Sequence, residues 1–253
     1  YSNIFIITQQ SIFDNVKNNF LSNYPTIIVD ENEASKSVTT AEFVVQELLK
    51  EGCDRESLLI GFGGGTITDL TGFVASIFMR GIDHVFIPTT LLGMVDASIG
   101  GKTAVNSNQV RNLIGTFKHP KGIYIDPLFL NTLPKKDIID GFAEVIKYGL
   151  IVDMELYNMV ESNFKELIEL KDLNQIETII SKCCNHKATF VVNDQFDYNE
   201  RMILNFGHTI GHALESYFNY KKVTHGQAVY YGMMAAAFIS KKKGLLSGEK
   251  FNQ

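Results

Sequence analysis

The stretch SLLIGFGGGTITD, residues Ser57–Asp69, decides the fold that we predict for this chain. Its first six residues form a short apolar run that predicts a buried strand, and Gly63–Gly65 follow at once. The pattern from Asp69 to Met79 is helical, so a glycine loop joins a strand directly to a helix, with Asp69 suited to the N-terminal cap. Such a loop lets a phosphate approach the backbone. Because its spacing differs from the G-x-G-x-x-G fingerprint, a plain tight turn is the alternative.

Around this stretch, the first half of the chain alternates between strand and helix patterns. Apolar runs predict further strands, and amphipathic spacing predicts helices on either side of them. The predicted strands are residues 3–8, 25–30, 84–88 and 122–126, and the predicted helices are residues 11–21 and 39–50. Alternation of this kind is typical of a parallel, doubly wound, Rossmann-like sheet.

From Pro134 onward the patterns are helical, and the helices are interrupted near Lys171, residues 194–199 and residues 220–224. We therefore predict two domains. Residues 1–130 form an α/β nucleotide-binding domain, and residues 131–253 form an all-α domain that binds metal and substrate. The strand-like run at the first residue and the stop after a helix at the last suggest a chain truncated at both ends.

The overall composition excludes several classes of protein. The 253 residues are 45% apolar and 20% charged, which is typical of a soluble globular protein. A net charge of -5 argues against nucleic acid or an anionic membrane surface as the main partner. Cys53, Cys183 and Cys184 show no C-x-x-C spacing, which excludes a zinc-thiolate site and suits a reducing, cytoplasmic compartment. No apolar run is long enough to span a bilayer.

Histidines of the second half form the most informative polar cluster. His208 and His212 are four residues apart in RMILNFGHTIGHALES, and a helix there would place both imidazoles on one face. Glu144 and His225 are further candidates. A carboxylate with two imidazoles is a common ligand set for catalytic zinc, which needs three protein ligands and an open position. Spacing alone favours His208 and His212 as ligands, whereas each histidine taken singly could be an ordinary hydrogen-bonded residue.

The same segment carries further polar side chains at helical spacing. Arg201, Asn205, His208 and His212 would fall on one stripe of an otherwise apolar helix, which favours a cleft lining over core packing. Glu144 and Lys147 are three residues apart and would share a face. Cationic residues also follow glycines in the first half, where Lys102 and Arg111 could bind anions or lie as solvated surface residues. The sequence thus offers sites for an anionic substrate in both halves.

Several longer strings together resemble one family, the 3-dehydroquinate synthases of the sugar-phosphate cyclases. The matching strings are GGGTITDLTGFVAS, MRGIDHVFIPTTLLGMVDASIGGKTAVN, RNLIG, FLNTLP, GFAEVIKYG, LNFGHTIGHALES and THGQAV. The resemblance implies a cytoplasmic homodimer that uses NAD and zinc or cobalt. Its substrate would be a sugar phosphate, 3-deoxy-D-arabino-heptulosonate 7-phosphate, converted to 3-dehydroquinate and phosphate in the shikimate pathway of aromatic amino acid biosynthesis. The family continues beyond the last residue here.

The resemblance also implies roles for individual residues, and it moves His212 from the metal to the substrate side. The implied metal ligands are Glu144, His208 and His225. The implied catalytic residues are Lys102, Lys147, Arg201, Asn205 and His212, and the implied substrate-binding residues are Arg80, Asp96, Asn112 and Lys187. The implied NAD contacts are Glu33, Lys36, Gly64, Gly65, Thr66, Ile67, Thr68, Asp69, Thr89, Thr90, Lys102, Arg111, Phe129, Leu130, Asn131 and Thr132.

Several positions depart from the family pattern, and three of them bear on the NAD and metal contacts. Arg111 stands where a lysine is usual, which keeps the charge but changes its shape. Gln9 stands where an aspartate is common near the adenosine, and Gln227 replaces a glutamate beside His225. We expect these changes to alter the NAD contacts and the support of the metal ligand.

Three rival functions share parts of this pattern. Another cyclase, of the 2-deoxy-scyllo-inosose or valiolone type, would act on a different sugar phosphate. A metal-dependent polyol dehydrogenase would release NADH, whereas a cyclase releases phosphate with no net NADH. A non-catalytic relic would keep the fold without turnover, and the joint presence of the metal-ligand and lysine candidates argues against it.

Overall fold

The computed structural model describes residues 1–16, 23–31, 33–108, 110–218 and 220–252. The chain divides into two compact units, Tyr1–Leu133 and Pro134–Gln253. The predicted boundary at residue 130 falls three residues before this division.

Parallel strands make up the main sheet of the first unit. Within the described ranges its five strands lie in the order β2–β1–β3–β4–β7. Their bounds are β1 Ile4–Gln9, β2 Thr26–Val29, β3 Leu58–Gly63, β4 Asp83–Pro88 and β7 Gly122–Ile123. The strand order reverses between β1 and β3, and open α/β sheets bind ligands at such a switch point, outside the carboxyl ends of the strands. The predicted parallel sheet is confirmed, and its switch point adjoins the glycine loop that follows β3.

Alternate side chains of the strands supply the two faces of this sheet. Phe5 and Ile7 of β1 join the core packed under α2 (Val38–Lys50) and α3 (Gly65–Ile77). Ile6, between them, faces the other side, where α1 (Gln10–Val16) packs. The sheet is therefore covered on both faces, which is why its strands read as continuous apolar runs.

One helix of the first unit begins earlier than predicted, and another is described only in part. α3 starts at Gly65 with Gly64 as its N-cap, four residues before the predicted start, so the assignment of Asp69 as the cap is wrong. α1 ends its described part at Val16, and the rest of the helix predicted for residues 11–21 lies outside the described residues. α2 agrees with its prediction, and the Ser37 side chain caps it by accepting a hydrogen bond from the Thr40 N–H at 3.1 Å.

An antiparallel hairpin, which the sequence did not predict, follows the glycine-rich segment of residues 93–101. β5 (Lys102–Ser107) pairs with β6 (Val110–Phe117), with an irregularity between Val105 and Ser107. Most of β6 is exposed and it contains Asn112 and Gly115, so its apolar alternation is too weak to signal a strand.

Helices form the regular structure described in the second unit, as predicted. They are α4 Lys135–Val152, α5 Met154–Ile168, α6 Leu173–Asn193, α7 His208–Tyr217, α8 His225–Lys242 and α9 Gly248–Asn252. The three predicted interruptions all separate helices. None of the helices that the structure describes in either unit is long and apolar enough to cross a membrane.

The predicted continuous helix over the Arg201–Ser216 segment is wrong. Glu200–Asn205 forms a short 3-10 helix, and the chain then turns at Gly207, where φ is +82°. A Cβ at Gly207 would lie 2.6 Å from Met233 Cγ and 2.7 Å from the Val229 carbonyl oxygen, so α8 packs directly on this backbone. Only His208 and His212 therefore share a helix, and Arg201 and Asn205 belong to a separate element.

Candidate metal centre and nucleotide site

Three side chains from three helices converge in the second unit. Glu144 lies on α4, His208 opens α7 and His225 opens α8, and their ligand atoms all lie within 4.8 Å of one another. Glu144 Oε1 lies 3.6 Å from Nε2 of both histidines, and the Glu144 side chain has no exposed surface. These are the three residues to which the family resemblance assigns the metal.

Close packing of α8 on α4 brings His225 to Glu144. The Gly226 N–H donates a 2.7 Å hydrogen bond to Asp140 Oδ1, one turn before Glu144 on α4. A Cβ at Gly226 would overlap the Asp140 carbonyl oxygen. Only glycine allows the first turn of α8 to approach α4 this closely, so the position of His225 depends on Gly226.

The N-terminus of α8 is fixed by a capping box. The Gln227 N–H donates to Thr224 Oγ1 at 3.3 Å, and the Thr224 N–H donates to Gln227 Oε1 at 3.1 Å. Gln227 therefore supports the helix that carries His225, a role that an amide oxygen fulfils as well as a carboxylate. Among the described contacts, Gln227 therefore supports the N-terminus of α8 and does not contact the His225 imidazole directly.

A backbone carbonyl orients the second imidazole. His208 Nδ1 lies 3.3 Å from the Phe206 carbonyl oxygen, at the turn that Gly207 makes into α7. A carbonyl accepts hydrogen bonds only, so the proton of a neutral His208 is placed on Nδ1. The lone pair is then left on Nε2, the atom that faces Glu144, and metal-binding histidines are commonly oriented in this way.

Two buried carboxylates give this cluster a negative potential. Burial of the His225 ring lowers its pKa, but Glu144 and Glu215 outweigh that effect and raise the pKa to about 10. Glu215 Oε1 lies 3.5 Å from His225 Nδ1. The buried Lys147 ammonium forms an ion pair with Glu144 and offsets part of the charge. A site that stabilises a proton this strongly also suits a cation.

The donor set fits a divalent metal such as zinc. Imidazole nitrogens are borderline ligands that suit zinc and cobalt, and two of them with one carboxylate oxygen are a common catalytic zinc set that leaves one position for substrate. Ligand atoms of His212, Glu215 and His225 also lie within 4.8 Å of one another. His212 is exposed and its ring centroid is 5.3 Å from that of His208, so it borders the cluster.

The other predicted polar residues of this unit lie on α6 and the segment after it. Lys187 is buried on α6, and Arg201 is buried with its Nη1 donating a 2.8 Å hydrogen bond to the Gln195 carbonyl. Asn205 is exposed at the end of its 3-10 helix. Asp194 holds the connecting segment by accepting hydrogen bonds from backbone N–H groups, including that of Arg201 at 3.2 Å.

The backbone of the glycine loop in the first unit lies close to neighbouring side chains. A Cβ at Gly64 would lie 2.9 Å from Thr90 Cγ2, and one at Gly65 would lie 3.2 Å from the Ala97 Cβ. Gly64 caps α3 without a side chain, and its carbonyl oxygen accepts hydrogen bonds from the Ile67 and Thr68 N–H groups at 3.0 and 3.1 Å, so the Gly65 and Thr66 N–H groups at the start of this 13-residue helix are the ones suited to an anion. The loop follows β3 at the switch point of the sheet. This cradle fits a pyrophosphate.

Glu33 and Lys36 link the first turns of α3 to the hairpin. Glu33 Oε2 accepts a 2.9 Å hydrogen bond from Thr66 Oγ1, and its Oε1 accepts one of 2.9 Å from Asn106 Nδ2. The buried Lys36 ammonium donates to Asp69 Oδ2 and to Asn112 Oδ1. Lys36 thereby joins predicted NAD contacts to a predicted substrate contact.

Arg111 and Gln9, two departures from the family pattern, make contacts at this edge of the sheet. Arg111 Nε lies 3.8 Å from Glu33 Oε1, a long ion pair that leaves the arginine beside the predicted NAD residues. Gln9 Nε2 donates a 3.3 Å hydrogen bond to the Asp30 carbonyl.

Residues after β4 and β7 complete the surroundings of the loop. The Thr89 N–H donates to the Gly63 carbonyl at 3.1 Å, and Thr90 Oγ1 accepts from the Gly93 N–H at 3.0 Å. Phe129, in the 3-10 helix Pro127–Thr132 that also contains Asn131, packs edge-on against Phe62 with ring centroids 5.2 Å apart. Among the predicted NAD contacts, five residues are buried in the protein: Lys36, Ile67, Thr68, Thr89 and Leu130.

The structure does not bring every predicted residue of this unit together. Asp96 lies in the π-helical turn Gly93–Ala97 next to Thr90, and Lys102 is exposed at the start of β5. Arg80, however, follows the far end of α3, about 20 Å along the helix from the glycine loop. Within one chain, Arg80 therefore lies away from the glycine loop.

Two residues of the metal cluster were missed by the sequence reasoning. Glu215 lies three residues after His212 and seven after His208, so its helical spacing was a usable signal. Asp140 lies one turn before Glu144, but its contact with Gly226 joins distant segments and gave no local signal.

Comparison with known proteins gives two family matches that cover most of the chain. The 3-dehydroquinate synthase N-terminal family matches residues 26–140, and the 3-dehydroquinate synthase C-terminal family matches residues 141–253. A 3-dehydroquinate synthase from Dictyoglomus thermophilum is 46% identical over 245 residues, which are 96% of this chain and 69% of that protein. One from Clostridium botulinum is 46% identical over 250 residues, covering 96% of this chain and 71% of that protein.

Solved structures of related cyclases share the fold. A 2-epi-5-epi-valiolone synthase from Streptomyces hygroscopicus with NAD+ and Zn2+ bound has a TM-score of 0.92 at 28% identity, over 99% of this chain and 71% of that one. A 2-deoxy-scyllo-inosose synthase complexed with carbaglucose-6-phosphate, NAD+ and Co2+ has a TM-score of 0.88 at 26% identity, over 98% and 69%. A glycerol dehydrogenase from Schizosaccharomyces pombe, at 14% identity and a TM-score of 0.69 over 98% and 67%, shares the fold alone. With 46% identity over most of its length and both family matches, the chain belongs to the 3-dehydroquinate synthase family.

Proposed function

We propose that this protein is an NAD- and zinc-dependent 3-dehydroquinate synthase. It converts 3-deoxy-D-arabino-heptulosonate 7-phosphate to 3-dehydroquinate and phosphate, a carbon–oxygen lyase reaction of the shikimate pathway. The observation that carries the proposal is the convergence of Glu144, His208 and His225 in a chain that belongs to this family.

The two units supply different parts of this chemistry. The glycine loop, Glu33 and Lys36 hold NAD, and the cluster of Glu144, His208 and His225 holds the cation. When bound, NAD would supply reversible hydride transfer at a secondary hydroxyl of the substrate, and a divalent cation held by the cluster would supply polarisation of that hydroxyl. Because the hydride is returned, the net products are 3-dehydroquinate and phosphate, with no NADH.

Residues of the helical unit bind the substrate and move its protons. Lys147 offsets the charge of Glu144 and presents an ammonium beside the substrate hydroxyls. Lys187 and Arg201 hold the anionic groups of the substrate, and the planar fork of Arg201 suits two-point contact with a phosphate or carboxylate. His212 and Asn205, which are both exposed, hold the phosphate and carry a proton as it leaves.

Residues of the α/β unit complete the binding of substrate and NAD. Asp96, Lys102 and Asn112 contact the substrate, and the Lys36 contact with Asn112 couples that binding to the NAD site. Lys102, at the exposed start of β5 after two glycines, can reach an oxyanion without leaving its strand. Because Arg80 is separated from the glycine loop of its own chain, it takes part in substrate binding only through a contact with something other than that loop.

Phosphate release separates this function from its rivals. The 46% identity to dehydroquinate synthases, against 28% and 26% for the other cyclases, favours the heptulosonate phosphate as substrate. Protein with zinc and catalytic NAD is incubated with each candidate sugar phosphate while phosphate and NADH absorbance are followed together. We expect phosphate from the heptulosonate phosphate with no accumulation of NADH. Stoichiometric NADH would identify a polyol dehydrogenase, and phosphate from another sugar alone would identify a different cyclase.

Location and assembly follow the same family expectation. We propose a cytoplasmic homodimer, in keeping with cysteines that form no disulfide among the described residues. Light scattering coupled to size-exclusion chromatography tests the dimer, since a mass near 28.4 kDa at micromolar concentration would show a monomer.

A further inference from the structure

The buried carboxylate of Glu215 lies behind the metal ligand His225. Its side chain is 2% exposed, and its Oε1 is 3.5 Å from His225 Nδ1. The other nitrogen of the same ring, Nε2, faces Glu144 Oε1 at 3.6 Å. The imidazole is therefore held between two carboxylates, one on each of its nitrogens.

The two carboxylates have different surroundings. Glu144 lies within reach of two imidazoles and of the Lys147 ammonium, which is the arrangement of a shared ligand. Glu215 lies near His225 and, on its own helix, His212 one turn earlier. A carboxylate on the far nitrogen of a metal-binding histidine fixes the tautomer and the ring orientation and makes the ring a stronger donor.

We infer that Glu215 is a positioning residue for the metal centre. It accepts the Nδ1 proton of His225 and thereby presents the Nε2 lone pair toward the site shared with Glu144 and His208. His225 and His208 are then oriented by different means, a carboxylate for one and the Phe206 carbonyl for the other. The inference rests on the proposed function only in taking His225 as a metal ligand.

This arrangement also gives a reason for the burial of the Glu215 carboxylate. Burial of an unpaired carboxylate is unfavourable. Glu215 is only 1% exposed, so we expect a polar group beside its carboxylate. Its place on α7, seven residues after His208, means that one helix carries both a ligand and the support of another ligand. A shift of α7 relative to α8 would therefore disturb both imidazoles together.

Zinc affinity tests the inference without relying on turnover. The zinc dissociation constant is measured by competition with a chromogenic chelator for the wild-type protein and for Glu215→Gln, Glu215→Ala and Glu177→Gln. Glu177 is an exposed carboxylate of α6, so its variant controls for the loss of one negative charge. We expect affinity to fall about tenfold in Glu215→Gln, which keeps an acceptor but loses the charge, and up to about 100-fold in Glu215→Ala.

The Co2+-substituted proteins give a second readout. Glu215→Gln should keep the d–d band pattern of the wild type, because the ligands themselves are unchanged. Unchanged zinc affinity in both Glu215 variants would overturn the inference while leaving the metal site intact. A loss of more than about 1,000-fold with a changed cobalt spectrum would make Glu215 a ligand, which also overturns it. A wild-type protein that binds no zinc would refute the metal site and the inference together.

Discussion

A buried histidine of the α/β unit makes this unit sensitive to acid. His84 lies on β4 with no exposed surface, and its ring packs edge-on against Phe86 with centroids 4.9 Å apart. Neither ring nitrogen has a hydrogen-bond partner among the residues that the structure describes. Burial of the ring, with a smaller contribution from the Lys118 charge, lowers its pKa from 6.5 to about 4.

The shift sets both the direction and the size of the effect. Below pH 6.5 the unfolded chain takes up a proton at His84, whereas the folded protein takes it up only near pH 4, so stability falls as the pH falls through this window. The difference between the two pKa values corresponds to about 3 kcal/mol of lost stability by pH 4, at 1.36 kcal/mol per unit. Above pH 7 the residue contributes no pH dependence.

Urea unfolding of the metal-free protein at pH 7 and pH 4 measures this loss. Chelator is present throughout, so that pH-dependent release of metal does not enter the comparison. We expect His84→Leu to lose about 3 kcal/mol less than the wild type between the two pH values. Exposed His119→Leu is the control for removing one histidine and should follow the wild type. Equal losses in the wild type and His84→Leu would refute the reasoning.

Three further predictions concern backbone contacts and one buried lysine. Gly226→Ala should weaken zinc binding at least tenfold and lower the melting temperature. The reason is that the added Cβ overlaps Asp140, and overpacking of this kind costs about 1–3 kcal/mol. Chelator competition measures the zinc affinity, and calorimetry measures the melting temperature. Gly64→Ala should raise the NAD dissociation constant about 5- to 100-fold in fluorescence titration, since its Cβ would lie 2.9 Å from Thr90 Cγ2. Gly248→Ala, whose Cβ meets only a lysine side chain at 3.8 Å, controls for both and should change neither constant. Lys36→Met should weaken NAD binding about 10- to 100-fold, because it removes charged hydrogen bonds to Asp69 and Asn112. Calorimetric titration measures the NAD dissociation constant, and an unchanged value would contradict this role of Lys36.

Local pattern was sufficient for the regular elements of the sheet and the helical unit. Strands such as Leu58–Gly63 are covered on both faces, so their apolar runs are continuous and easily recognised. The start of α3 was misplaced because glycines predict a turn, whereas here Gly65 already belongs to the helix. The hairpin of Lys102–Ser107 and Val110–Phe117 was missed because its second strand is exposed and weakly patterned.

Residue types and the family resemblance pointed to Glu144, His208 and His225, and the structure places their ligand atoms together. The assumption of one long helix through Arg201 failed because Gly207 turns the chain where α8 packs on it. Helical spacing cannot reveal such a turn, since the contact that requires it comes from a distant segment.

The amino-acid sequence by itself determined the order of strands and helices, the glycine loop at the switch point and the kinds of donor available to a metal. Only the tertiary structure decided which donors meet. Glu144 and His225 approach because Gly226 lets α8 lie against Asp140, and Glu215 reaches His225 because α7 packs on α8. Periodicity is a property of neighbouring residues, whereas the convergence of side chains depends on the close packing of helices that are distant in the chain.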